Sequence, residues 1–388
     1  MQLTLSRRAF LIGCSAGASP LLSPVTFAAA PGDNRLVVVL LRGAMDGLDI
    51  LRPRGEPDFV TLRPTLARDL AASADLDGFF ALHPAAAPLL PLWQAGEMAF
   101  VQAVATPYRR GRSHFVAQDA LENGTGGEDG QMTPSRDGWL NRALRLIPGA
   151  RPELAVSVGQ ERLLILDGAQ DTSHWFPVDQ SPLSAQGQSL LAALHHADPL
   201  FAEPFDEAVA LALATSGQKL PGADLAHQAL GTHVAERLRE EARIASFSIG
   251  GWDMHQNQAK TMAERLPALA ETLLALKTGL GSAWGTTLLL AMTEFGRTAR
   301  ENGSGGTDHG TGGLLIALGG VVRGGRVLGD WPGLGAGELL GERDLKPTGD
   351  LRRYPAWALR SLFGVEVSGL EALVFPGLDL QGDPGLIR

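Results

Sequence analysis

Six short runs of nearly unbroken apolar residues mark the chain: Leu36 to Leu41, Met98 to Val104, Leu154 to Val158, Ile244 to Ile249, Thr286 to Met292 and Leu314 to Leu318. A half-buried strand alternates apolar and polar residues, because successive side chains point to opposite faces. Apolar character throughout a run therefore predicts strands covered on both sides, as in a parallel sheet. Between the runs the period changes. Met262, Leu266, Leu269, Leu273, Leu276 and Leu280 fall on one helical face, and Pro267 is expected either to kink that helix or to mark its first turn. Phe205 to Ala214, with Pro204 just before it, Leu225 to Arg243, and Tyr354 to Leu362 are further predicted helices. Strands alternating with helices predict an α/β fold. Its expected form is a doubly wound, mostly parallel central sheet with helices on both faces, and ligands at the carboxyl ends of the strands. Gly124 to Gly138 is polar and glycine-rich and reads as a mobile loop. No repeat, coiled coil or composition shift divides residues 31–388, which read as one domain.

Residues 1–30 have a different character. Ser6-Arg7-Arg8-Ala9-Phe10-Leu11 is a twin-arginine pattern. A mildly apolar stretch from Ile12 to Phe27 follows, and then Ala28, Ala29 and Ala30, the small residues a signal peptidase requires. The segment reads as an export signal. A transmembrane anchor fits less well, because Pro20 and Pro24 break a short apolar run. A lipid-attachment box at Leu11 to Cys14 fits poorly too, since almost no apolar region separates it from Arg8. The expected partner during export is the twin-arginine translocase, and the expected location is periplasmic or secreted.

Cys14 is the only cysteine, so the exported form would have no disulfide, thiolate ligand or cysteine nucleophile. The formal net charge of −9 becomes more negative once Arg7 and Arg8 are removed, which argues against nucleic acid or an anionic membrane as partner. The 48 glycines exceed the usual share of about 7% and predict many tight turns at strand ends.

The residues able to do chemistry lie at the ends of the predicted strands. Asp46 follows the first. Asp253 and His255 follow Ile249, Glu294 follows Met292, Asp308 and His309 precede Leu314, and Ser113 and His114 follow Val104 at a predicted helix start. Carboxylates and imidazoles gathered on one sheet edge suit one or two divalent cations: zinc, manganese, magnesium or calcium. Each residue has a plainer reading. Asp46 would serve as a turn former, Asp253 and His255 as helix caps, and Asp308 and His309 as loop residues. Glu294 is harder to dismiss, because a carboxylate so near a buried strand is costly unless it is solvated, paired or ligating. Arg109, Arg110 and Arg112 form a basic cluster before Ser113. They read either as solvated surface or as an anion clamp, and Arg297 is a second anion-binding candidate. His83, His174, His195, His196, His227 and His233 lack partners at ligand spacing and read as surface or structural.

Several segments together resemble the bacterial domain-of-unknown-function 1501 family, placed in the alkaline phosphatase and sulfatase superfamily. They are Leu40 to Gly47, Arg112-Ser113-His114-Phe115, Gly251 to His255, Thr293-Glu294-Phe295-Gly296-Arg297-Thr298 and Asp308-His309-Gly310. The resemblance spans nearly the whole of residues 31–388 and implies an alkaline-phosphatase-like fold. It implies Asp253, His255 and His309 as ligands of a first metal, and Asp46, Glu294 and Ser113 around a second, with Ser113 as nucleophile. Phe295 stands where that superfamily's second-metal histidine would be, so either His114 or Asp308 compensates or the second site binds metal weakly or not at all. Met132-Thr133-Pro134-Ser135-Arg136 copies a sulfatase maturation motif except at its reactive position. Methionine cannot become formylglycine, which counts against ordinary sulfatase chemistry. The function expected is a metal-dependent hydrolase of anionic phosphate or sulfate esters, with Ser113, His114, Arg112 and Arg297 in catalytic roles. The alternative is a protein of the same fold that binds metal or carbohydrate without turnover.

Overall fold

A computed structural model describes residues 32–131, 136–159, 162–175 and 223–388. Residues 1–30, read as an export signal, Met132 to Ser135, the predicted helix at Phe205 to Ala214, and His195 and His196 lie outside these residues. The central sheet contains β1 (Arg35–Leu41), β2 (Met98–Ala105), β3 (Ala155–Val158), β4 (Ser173–Trp175), β5 (Ile244–Ile249), β6 (Thr287–Met292), β7 (Gly313–Leu318), β8 (Arg326–Leu328) and β9 (Gly349–Asp350). Its order is β8-β2-β7-β6-β1-β5-β3-β4, and β9 also pairs with β2. A separate three-stranded antiparallel sheet is built from Leu51–Pro53, Phe80–Leu82 and Ala74–Asp75. All six predicted strands are present. The described helices that cover the sheet are α1 (His114–Asn123), α2 (Trp139–Leu144), α3 (Ala223–Arg239), α4 (Gln258–Leu280) and α5 (Arg353–Phe363). Because α4 begins at Gln258, Pro267 lies inside it and not in its first turn.

The alternation within β1 shows why its sequence is apolar throughout. Leu36, Val38 and Leu40 enter one core, with Leu140 and Leu144 of α2 and Leu359 and Phe363 of α5. Val37, Val39 and Leu41 enter the other, with Val234 and Leu238 of α3 and Leu266, Leu269 and Leu273 of α4. Each side chain moves from water into a packed layer, which contributes about 1.5–3 kcal/mol per large aliphatic residue.

The central sheet is mostly parallel, as expected, but Leu314 to Leu318, read as a parallel strand like the other runs, is not. The pairings β1–β5, β1–β6, β3–β5, β3–β4, β8–β2 and β9–β2 are parallel, but β7 runs antiparallel to both β2 and β6. This reversal has a direct effect on the chemistry. Residues that precede a parallel strand sit at the amino edge of the sheet, whereas those that precede β7 sit at the carboxyl edge of β1, β2, β5 and β6. Asp308 and His309 thereby join the residues that follow those strands. Among the described residues no helix is long and apolar enough to cross a membrane.

Candidate metal centre

Four strand ends and the start of β7 meet in one layer. After β1 the chain turns at Gly43, whose φ of +114° is open to glycine, and a Cβ there would fall 2.6 Å from the backbone nitrogen of Asp253. The turn is tied to the end of β6: Gly43 N donates to Glu294 Oε1 (2.9 Å), and Thr293 Oγ1 donates to the Leu41 carbonyl (2.8 Å). After β5, buried Trp252 donates its indole N–H to the Ile249 carbonyl (3.0 Å) and so fixes the backbone leading to Asp253. After β2, Ser113 is the N-cap of α1 and His114 its first residue. Beyond β6, Arg297 and His309 form an antiparallel bridge that aims His309 inwards.

Three imidazoles converge there through their Nε2 atoms. His114 Nε2 lies 3.0 Å from His309 Nε2, and His255 Nε2 lies 2.9 Å from the same atom. The Asp253 carboxylate completes the group: Oδ1 is 3.0 Å from His255 Nε2 and 3.2 Å from His309 Nε2, and Oδ2 is 3.4 Å from His114 Nε2. The Nδ1 atoms all face outwards. His114 Nδ1 meets Glu294 Oε1 at 2.8 Å, His255 Nδ1 meets Asp308 Oδ1 at 3.1 Å, and His309 Nδ1 meets the Arg112 carbonyl at 2.9 Å. A carbonyl or an ionised carboxylate only accepts hydrogen bonds, so each Nδ1 carries its proton and each neutral ring presents a bare lone pair at Nε2. Three such lone pairs and a carboxylate oxygen repel one another unless a proton or a metal ion lies between them. Metal–nitrogen bonds of about 2.0–2.1 Å in a tetrahedral site put donors about 3.3 Å apart, close to the separations among His114, Asp253 and His309, the three residues whose donor atoms lie mutually close, while His255 Nε2 approaches only His309 and Asp253. Backing of each imidazole by an outer carboxylate or carbonyl is the usual arrangement around a bound metal. The donor set fits a divalent cation.

The same contacts set the electrostatics without a metal. His114 is held above its ordinary range, chiefly by its hydrogen bond to Glu294 and against the opposing effect of burial. Burial pushes Glu294 up, but hydrogen bonds from His114, Gly43 and Gln118 more than offset this and hold it low. Burial likewise raises Asp253, and Arg297 outweighs it through a 2.8 Å hydrogen bond and its charge. His309 is lowered by burial, with the charges of His114 and Arg297 adding to it. Asp308 is held low, first by the Asn302 amide.

The structure thus brings together Asp253, His255 and His309 and adds His114 to them. Other candidates have different places. Glu294, 1% exposed, does not face the cluster as a ligand: its Oε1 serves the His114 ring, Gly43 N and the Gln118 amide. Asp308 does the same for His255. Asp46 is not among the converging donors, because Arg63 and Gln258 occupy both of its oxygens. Arg297 is no anion clamp. Its side chain is fully buried and binds Asp253, Thr307 Oγ1 and the Thr307 carbonyl. Arg112 pairs with buried Asp344 at 2.8 Å but keeps 43% of its side chain exposed. Arg110 forms an exposed ion pair with Glu128. The Ser113 hydroxyl caps nothing and stands beside His114. Phe295 is an apolar wall, its ring centroid 5.0 Å from that of His114 and 5.2 Å from that of His309. Sequence reasoning missed Arg63 and Gln258, which belong to no strand-end motif. A cleft of about 430 Å³ opens beyond Asp308, its lining including Asn302, Arg300, Arg343, Glu342 and Asp58.

The sequence pattern of the family described as "Protein of unknown function (DUF1501)" matches residues 33–354. The chain belongs to this family. No curated protein matches the chain. Among solved structures, this DUF1501 protein is similar to a protein in the alkaline phosphatase superfamily from Vibrio parahaemolyticus, at 13% identity and a TM-score of 0.41, covering 98% of this chain and 79% of that one. It is also similar to the PsFucS1 sulfatase from Pseudoalteromonas sp. (13%, TM-score 0.39, 92% and 73% covered). A third is the zinc complex of the C-terminal periplasmic domain of EcEptC from Escherichia coli (8%, TM-score 0.38, 75% and 74% covered).

Proposed function

We propose that this DUF1501 protein is a metal-dependent hydrolase of phosphate or sulfate esters that acts outside the inner membrane after twin-arginine export. The observation that carries the reading is the convergence of the Nε2 atoms of His114, His255 and His309 on Asp253, with every Nδ1 already bonded outwards. His114, Asp253 and His309 would hold the divalent cation, with His255 beside them, and the ion when bound supplies Lewis-acid stabilisation of charge on a phosphoryl or sulfuryl oxygen. The chain's own residues do the rest. Glu294, Asp308 and the Arg112 carbonyl fix the imidazole tautomers, and Arg297 orients Asp253. Ser113 offers a hydroxyl not spent on capping, at the amino end of α1, where free N–H groups favour an anion. The exposed part of Arg112 is placed to hold a second anionic oxygen. The cleft beyond Asp308 would receive the remainder of the ester.

The test is turnover of aryl phosphate and aryl sulfate esters by metal-loaded protein. Asp253→Ala and His309→Ala are expected to reduce the rate about a thousandfold, the equivalent of several kcal/mol of charge stabilisation. Undiminished turnover in either variant would sink the assignment. A second reading, a metal-binding protein without turnover, is favoured by Phe295 lying where a ligand was expected. Tight metal binding with no hydrolysis across both ester classes would select it.

A further inference from the structure

We propose that the chain binds one divalent cation and not two, because buried guanidinium groups of its own occupy the place of a second. The proposal rests on the metal reading above and adds its stoichiometry. Asp46 is 1% exposed, and both of its oxygens are engaged: Arg63 Nη1 donates to Oδ2 at 2.7 Å, and Arg63 Nη2 donates to Oδ1 at 3.2 Å. Arg63 is itself fully buried and locked, since Nε donates to the Ala299 carbonyl (2.9 Å) and Nη2 to the Thr298 carbonyl (2.7 Å). The neighbouring acid is answered in the same way. Asp49 Oδ1 accepts from Arg52 Nη2 (2.8 Å) and Nε (3.1 Å). The Gln258 amide joins the two pairs, donating to Asp46 Oδ2 at 2.6 Å and to Asp49 Oδ2 at 2.9 Å. Arg52 Nη1 also pairs with half-exposed Asp69 at 2.5 Å, so each of the two buried carboxylates, Asp46 and Asp49, has a guanidinium partner without a metal.

The other donors expected around a second cation are also committed. Glu294 Oε1 accepts from three groups, and its Oε2 lies 3.1 Å from the Thr293 hydroxyl oxygen. A cation beside Asp46 would have to displace Arg63, leaving its fully buried charge without its carboxylate partner. Burying it unpaired is costly. The internal cations also join the centre through one hydrogen-bonded path. Gln258 Oε1 accepts from Thr307 Oγ1 (2.7 Å), which accepts from Arg297 Nε (3.2 Å), and Arg297 Nη1 donates to Asp253 (2.8 Å). The pair of arginines thus supports the metal ligand Asp253 from within the fold.

The experiment is metal content by elemental analysis of the full chain after loading with zinc and desalting, together with cobalt titration followed by its visible absorption. One equivalent is expected in the wild type and in Asp46→Asn, and none in His309→Ala, with cobalt absorption breaking at a single equivalent. Two equivalents in the wild type would overturn the inference and leave the metal reading standing. Zero equivalents would overturn both. Loss of the metal in an Asp46→Asn variant that keeps the wild-type circular dichroism would show that Asp46 ligates and would also overturn it. If that variant does not fold, the wild-type stoichiometry decides.

Discussion

Each imidazole of the centre has one nitrogen that the protein satisfies and one that it leaves bare. That division makes Glu294 informative, because it touches only the satisfied side. Its carboxylate accepts the His114 Nδ1 proton at 2.8 Å and is nearly inaccessible to water. Glu294→Gln keeps the shape and removes the charge, which weakens the fixing of the tautomer and lowers the basicity of Nε2. Zinc affinity is expected to fall about 10–100-fold, the usual effect of losing an outer carboxylate. Competition with a chromogenic chelator measures this directly. An affinity within a factor of two of the wild type would show that Glu294 does not act through His114.

At the level of elements, apolar runs located the strands because both faces of the sheet are covered, and Leu36 to Leu41 had no polar face to show. Direction was not legible: Leu314 to Leu318 is as apolar as its neighbours, and nothing in its composition distinguishes a parallel from an antiparallel neighbour. Asp253, His255 and His309 were legible as polar residues beside such runs. The roles of Glu294 and Asp308 were not, since a carboxylate that ligates and one that backs an imidazole look alike in sequence. Arg63 left no trace at all, because its partner Asp46 lies on a different segment. The reversal of β7 itself depends on close backbone approach. A Cβ at Gly296 would fall 1.8 Å from the Gly312 carbonyl oxygen, just where Gly310 N donates to the Gly296 carbonyl at 2.8 Å. Gly296→Ala must therefore push β7 from β6 and move the Arg297–His309 bridge. The expected cost is about 1–3 kcal/mol of stability, read by denaturant unfolding, with weakened zinc binding in the same variant. An alanine variant as stable and as tight-binding as the wild type would show that the bridge does not set the position of His309.

For the whole molecule, metal and proton compete for the same lone pairs. Without metal, the raised pKa of His114 and the lowered pKa of Glu294 describe an imidazolium–carboxylate pair. A histidine whose folded pKa lies above its ordinary 6.5 adds stability that is fully present below 6.5 and is lost as pH rises through the folded value. Metal acts in the opposite sense, because it requires His114 and His309 to be unprotonated at Nε2, so its affinity rises as those protons leave. The two trends predict a gap between metal-loaded and chelator-treated protein that is small below pH 6 and widens towards pH 8. At free zinc about 100 times its dissociation constant the gain is about 2.7 kcal/mol, or about 3–4 °C in Tm for a domain of this size. Thermal melts with and without a chelator across this range, at fixed ionic strength, check it. A gap that is constant with pH would mean that the imidazoles do not bind the metal, and one that narrows at high pH would reverse the assignment of their protons.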